Sequence, residues 1–174
     1  MRKLSMTDDA LSLSTNLDHE FDEVSPDLER LCSMVQGMIS AALTSEGIQF
    51  LHIQSRVKDR SSFQEKVQRK GYRHLDECTD LVGARIILFL ESEIVVARDV
   101  MRRLFQEDKN NSVDHMKKEV NTVGYNSLHL VCTLGDKRSA FLEYKDITNI
   151  AFEVQIRTAL QHAWAEIEHK QKYK

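Results

Sequence analysis

Proline occurs once in the 174 residues, as Pro26, and glycine only six times. With so few breakers there is no Pro/Gly-rich linker and no low-complexity segment, and no internal repeat is visible. The three cysteines, Cys32, Cys78 and Cys132, form no Cys-X-X-Cys pair. That excludes a zinc ribbon or redox motif and leaves buried thiols in a reducing compartment. No apolar run approaches the roughly 18 residues of a membrane-spanning helix. The acidic, polar start after Lys3 lacks the apolar region of a signal peptide. A cytosolic protein without membrane association is expected. Basic excess is absent too: 24 Lys and Arg stand against 27 Asp and Glu, for a net charge of −3. This argues against a broad nucleic-acid footprint, although a small phosphate-binding patch remains compatible with it.

What is present suits one domain with a real core. The hydrophobic content is 41%, enough to bury one at this length. Residues 1–20, rich in Ser, Thr and Asp, read as an N-terminal arm or a short helix, and 21–174 as the domain. Ser25-Pro26 signals a helix start, followed by helical spacing to Leu43 and a stop at Gly47. Residues 48–57 alternate as a strand. Ser61 or Ser62 can cap a following helix, with Glu65 three residues after Ser62 as in a capping box, and that helix ends near Gly71. LVGARIILFL is a continuous apolar run, predicting a strand buried on both faces. Residues 92–108 read as an amphipathic helix and SLHLVCTL as a strand. AFEVQIRTALQHAWAEIEH joins a strand to a helix whose Leu160, Ala163, Trp164 and Ile167 predict a core-packing face. The interleaving gives the fold class: α/β or α+β, a mixed β-sheet flanked by helices.

Four constellations could carry chemistry. In SRVKDRSSFQEKVQRKGYR, Arg56 and Lys58 share a face at the end of a strand, and Ser62 and Lys66 a face of the next helix. A strand end meeting a helix N-terminus is an anion site in principle; a solvated basic face is the alternative. In TDLVGARII, Asp80 opens a strand that contains Arg85, an arginine that needs a partner in apolar surroundings. Asp80 could hold a metal or pair with a base, and the residues alone do not choose. In VGYNSLHLV, Tyr125 could stack on a base and His129 alternates with Leu128 and Leu130; a packed Tyr and His at a sheet margin would look the same. In the last segment Glu153, Gln155 and Arg157 share one face while Phe152, Val154 and Ile156 take the other. Asp80 and Glu153 could together hold Mg²⁺, which favours a few carboxylates plus substrate phosphates. His162, Glu166 and His169 fall on adjoining helical turns, where a zinc site is conceivable, but HExxH is absent and an exposed or ion-paired helix face is the default.

SRVKDRSSFQEKV, DLVGARI, GYNSLH and EVQIRTALQHAWAEIEHKQKYK, in that order, resemble the synthetase domain of the RelA/SpoT family of alarmone synthetases, over about residues 25–174. The resemblance implies a nucleotidyltransferase-like fold and transfer of pyrophosphate from ATP to the 3′-hydroxyl of GDP or GTP with Mg²⁺. It implies Asp80 as main metal ligand and Glu153 as second acid, holding the metal or helping activate the hydroxyl. It further implies Arg56, Lys58, Ser62, Lys66 and Arg85 around the ATP phosphates. Tyr125 would stack on the acceptor guanine, with His129, Gln155 and Arg157 completing the acceptor side.

The chain departs from the family pattern in VDHMKKEVNTVGYNSLH. Asp114 remains, but a Pro-Lys pair common before the GY motif is missing, and Lys117 or Lys118 stands out of register. Toxin members with altered segments pyrophosphorylate the 3′ end of tRNA, so a tRNA 3′ end stands as the alternative acceptor, with an antitoxin partner and a homo-oligomer left open. No His-Asp dipeptide of the family's hydrolase domain is present, so alarmone hydrolysis is not expected. The end at Lys174, just after a helix, fits a small stand-alone synthetase or a domain cut from a longer chain.

Overall fold

The computed structural model describes the backbone of residues 5–114 and 127–172, and side chains from 15 to 114 and 127 to 168. A long helix α1 (Ser5–Ser45) leads into strand β1 (Phe50–Val57), helix α2 (Arg60–Lys70), strand β2 (Val82–Leu88) and helix α3 (Ser92–Leu104). Strands β3 (Gln106–Asp114), β4 (Leu128–Thr133) and β5 (Phe152–Thr158) follow, and helix α4 (Ala159–Lys172) comes last. The sheet order is β1-β2-β5-β4-β3. β2 and β5 run parallel at its centre and every other pairing is antiparallel. This is the mixed sheet with flanking helices expected from the sequence.

Register divides the sheet into an apolar and a polar face. Ile53, Ile86, Ile156 and Leu128 are successive partners across four strands, as are Ala84, Val154 and Leu130. All are buried, together with Leu28, Leu31, Val35, Ile39 and Leu43 of α1 and Ile94, Ala97 and Met101 of α3. Because side chains alternate along a strand, the neighbouring rows face the other way. One row holds Gln54, Arg85, Gln155 and His129; the next holds Arg56, Gly83, Glu153 and Val131. β2 is therefore not buried on both faces, as its apolar run suggests. Gly83 and Arg85 open onto the polar side, while Ile87 and Leu88 bury its far end.

Three local expectations are corrected. Pro26 lies inside α1 rather than at its start. The helix tolerates it because its N-terminal half packs on α2: Phe21 stacks on Phe63 at 4.8 Å, Gln64 donates to Asp18 at 2.7 Å and Arg60 pairs with Asp22 at 3.0 Å. Tertiary contacts of this kind offset the roughly 3 kcal/mol that an interior proline costs. α2 begins at Arg60 after Asp59, with no side-chain cap, so Ser62 does not serve as a cap. α2 does end as expected, at Gly71, whose φ of 69° closes the helix with an N–H bond to the Val67 carbonyl. Finally α3 stops at Leu104, and Gln106, Glu107 and Asp108 belong to β3. A sheet-edge strand this polar carries no apolar alternation for the eye to find.

Candidate active site on the polar face of the sheet

A cavity of about 460 Å³ opens on the polar face, lined among others by Arg56, Lys58, Asp80, Arg85, Glu153, Gln155 and Arg157. Eight of the residues singled out in the sequence, Glu166 among them, thus share one cavity; its strand side comes from β1 and Lys58 just after it, the turn before β2, β2 and β5. Ala165 and Glu166 of α4 form part of its wall. α4 is held there by a reciprocal cap: the Thr158 N–H donates to Gln161 Oε1 at 2.9 Å, and the Gln161 N–H to Thr158 Oγ1 at 3.2 Å. This Thr-X-X-Gln capping box fixes the angle at which the strand turns into the helix. The helix is rotated from the expected orientation. Leu160, Trp164 and Ile167 are exposed rather than packed in the core, and the side carrying Ala165 and Glu166 meets the cavity.

Asp80 lies between two lysines, with Lys66 Nζ 2.8 Å from Oδ1 and Lys58 Nζ 3.0 Å from Oδ2. The Cys78 thiol also donates to Oδ1 at 3.2 Å. Burial alone would raise the Asp80 pKa. The hydrogen bonds from Lys66 and Lys58 overcome that and hold it below the ordinary carboxylate range. Lys66 answers in kind: burial lowers its pKa, but the bond to Asp80 prevails and raises it. Its ammonium also stands 5.9 Å from the Tyr72 ring centre. Burial and the Asp80 charge push the Cys78 thiol up to about 11, so it is an inert neighbour.

Glu153 is the second acid. Its Oε1 lies 2.8 Å from His129 Nδ1, and its Oε2 accepts from Gln155 Nε2 at 2.6 Å. Burial raises its pKa, yet the His129 and Gln155 bonds lower it further, against a raising contribution from the nearby Asp80 charge. Arg157, buried at the end of β5, donates to Gln155 Oε1 at 2.6 Å. Across the cavity Arg85 reaches Glu166 at 3.4 Å, and its Nε is buried without a hydrogen bond.

Other candidates lie elsewhere. Ser62 is exposed on the first turn of α2 and does not line the cavity. His162 Nδ1 lies 3.9 Å from Glu166, but burial and the Arg85 charge lower its pKa, so the contact is not an ion pair at neutral pH; Glu166 pairs with Arg85 instead. Tyr125, Lys117 and Lys118 lie outside the described residues. Ser127, fully buried and 2.7 Å from His129 Nε2, was not singled out from the sequence. Its signal is its place two residues before His129, just ahead of β4.

A divalent cation fits this donor set. Asp80 and Glu153 are ionised, hard oxygen donors in one cavity, the kind Mg²⁺ takes. Among the described residues no group of three or more His, Cys, Asp or Glu side chains could hold a metal. Two carboxylates completed by substrate phosphates are the usual Mg²⁺ arrangement.

Residues 55–174 match the region found in RelA/SpoT proteins. The chain belongs to the RelA/SpoT family. Its relatives include the GTP pyrophosphokinase YwaC of Bacillus subtilis, 32% identical over 131 residues, which are 71% of this chain and 58% of YwaC. The chain thus spans a little over half the length of that RelA/SpoT relative. The crystal structure of small alarmone synthetase 1 from Bacillus subtilis superposes with a TM-score of 0.71 at 22% identity, covering 89% of this chain and 79% of that one. The same synthetase bound to its product pppGpp gives a TM-score of 0.66 at 24% identity, over 91% and 82% of the two chains. At such identities these structures establish a shared RelA/SpoT synthetase fold.

Proposed function

We propose that this chain is a GTP/GDP pyrophosphokinase, transferring a pyrophosphoryl group from ATP to the 3′-hydroxyl of GDP or GTP and so making (p)ppGpp. The 3′-oxygen attacks the β-phosphorus of ATP, the bond to the α–β bridging oxygen breaks, AMP leaves, and the hydroxyl proton is lost. The observation that carries this assignment is one cavity holding two ionised carboxylates, Asp80 and Glu153, beside Lys58, Arg56 and Arg85. Transfer of this kind asks a protein mainly for positioning and charge neutralisation. The naming of YwaC as a GTP pyrophosphokinase supports the substrate class.

Lys58 and Lys66, which neutralise Asp80 in the ligand-free protein, are the groups to turn toward ATP phosphates, with Arg56 and Arg85 completing the cationic wall. Asp80 and Glu153 would hold Mg²⁺, which when bound offsets charge on the phosphate oxygens. Gln155 and Arg157 line the acceptor side, where Tyr125 is assigned to stack on guanine.

The test is incubation of the folded protein with labelled ATP, Mg²⁺ and GDP or GTP, with deacylated tRNA as a parallel acceptor. AMP and (p)ppGpp formed in equal amounts are the expected outcome. Label on the tRNA alone would move the assignment to a tRNA 3′-end pyrophosphokinase, and no transfer by protein that binds ATP would overturn both.

A further inference from the structure

Lys66 stands on a helix with little of its own to hold it. α2 has 11 residues, no side-chain cap and no acidic residue in its first turn, and its buried side chains are Phe63 and Val67. A helix this short is marginal unless it docks on something. It docks on the N-terminal part of α1. Arg60 and Gln64, one turn apart, lie beside Phe63 and Val67, also one turn apart, and the two pairs make adjoining stripes. Phe63 stacks on Phe21 at 4.8 Å, with the rings 19° from parallel. Beside that stack Arg60 meets Asp22 at 3.0 Å and Gln64 donates to Asp18 at 2.7 Å. Both rings are buried, and so is Leu17, one turn before Phe21. Phe21, Asp18 and Asp22 all precede Pro26, whereas Leu28, Leu31, Val35 and Ile39 follow it and are buried in the core.

We propose that Phe21, with Asp18 and Asp22 beside it, is a positioning residue for the ATP side of the site. Through the Phe63 ring the N-terminal part of α1 sets the rotation of α2, and so where the Lys66 ammonium stands. Lys66 follows Phe63 by three residues, so the two move with the same turn of helix. Side chains reach a radius of about 5–6 Å on a helix, and a rotation of about 20° carries one by roughly 2 Å. That is enough to take Nζ out of its 2.8 Å contact with Asp80 Oδ1. Lys58 does not share this dependence: it leaves β1, and its N–H is tied to the Leu81 carbonyl at 2.8 Å. Nor do Gln155 and Arg157 of the acceptor side, which belong to β5. The inference rests on the proposed function in taking Lys66 as a group that meets ATP phosphates.

Four variants of the full chain test it. Phe21→Ala should speed amide hydrogen exchange through α2 while β2 and β5 stay protected. By calorimetry it should weaken binding of a non-hydrolysable ATP analogue with Mg²⁺ about 10–100-fold, what one bond to a charged group is worth. In the transfer assay the KM for ATP should rise and that for GDP stay unchanged. Phe21→Leu, which keeps an apolar contact on Phe63, should fall between Phe21→Ala and wild type. Asp18→Ala combined with Asp22→Ala removes the polar bonds without opening the core. It should act in the same direction, and it decides the matter if Phe21→Ala does not fold. Glu46→Ala, which frees Arg103 of α3 at the other end of α1, should leave analogue binding unchanged. Undiminished analogue binding in the folded Phe21 and Asp18/Asp22 variants overturns the inference. So does an equal loss in Glu46→Ala, or a KM for GDP that rises with that for ATP. A wild type that binds the analogue but makes no alarmone faults the proposed function alone, and exchange and binding still decide the positioning role. A wild type that binds no analogue overturns both.

Discussion

Replacing Asp80 with Asn takes one negative charge from between two ammonium groups and changes almost nothing in shape. Lys58 and Lys66 are 15% and 17% exposed and Asp80 24%, so all three are largely withdrawn from water. An Asn keeps one carbonyl oxygen for one lysine and presents an NH₂ to the other. Breaking a fully buried pair costs about 3–5 kcal/mol. Residual exposure and the flexibility of lysine discount that, and about 2 kcal/mol is expected, or roughly 4–8 °C in Tm at this chain length. The folded-state pKa of Asp80 is depressed. Its contribution is therefore fully present above the unfolded value of about 3.9 and is lost as pH falls through the folded value. Urea unfolding of wild type and Asp80→Asn at pH 7 should differ by that amount, and the two curves should draw together toward pH 3. Adding Lys66→Met to the variant should recover part of the loss at pH 7, by removing the uncompensated ammonium. Equal stability at pH 7, or a deficit that does not change with pH, would refute the double ion pair. The variant should remain folded yet transfer no pyrophosphate.

Glu153→Gln should lower kcat about a thousandfold, in the range that follows loss of a charge at a transition state, with near-UV circular dichroism unchanged. Glu166→Gln should release Arg85 for phosphate and lower the KM for ATP by up to about fivefold, the most a half-exposed pair is worth; a raised KM would place Glu166 among the substrate contacts. Thr158→Ala should cost about 1 kcal/mol in urea unfolding through loss of the α4 cap. Thiol titration of the folded protein at pH 7.5 should modify half-buried Cys32 first. Cys78 and Cys132, buried and pushed up to about 11 and about 12, should react only on unfolding, and early labelling of Cys78 would contradict its bond to Asp80.

How much of this could be read from the residues depends on the range of the forces involved. The alternation of FEVQIR told which β5 side chains share a face, because a strand's period is a local property. It could not tell that the same face of β2 carries Gly83 and Arg85, since that follows from pairing across the sheet. Taken alone, LVGARIILFL looks like a strand buried on both sides. Pro26 reads as a helix start for the same reason: Phe21, Asp18 and Asp22 keep the helix going before it through contacts with α2, some forty residues away. The apolar spacing of Leu160, Trp164 and Ile167 is a true helical face, but spacing alone does not say which side of a helix meets the protein.

The site was more legible than the fold around it, since its chemistry needs residue types that have few other uses together. Two acids, several cations and a Gln-X-Arg strand end were visible without coordinates. Their order of command was not. Asp80 and Glu153 look alike in sequence, yet one is paired with two lysines on flexible stems and the other accepts hydrogen bonds from side chains borne by β4 and β5. Lysines on flexible stems can leave Asp80 for a phosphate and return, while His129 and Gln155 cannot move without disturbing β4 and β5. The two carboxylates should therefore answer substrate differently. ATP binding should shift the surroundings of Asp80 strongly and those of Glu153 little. Backbone amide chemical shifts near Cys78 and Asp80, compared with those flanking Glu153, measure that contrast directly. Equal shifts at both places would mean that the strand-borne donors are as mobile as the lysines.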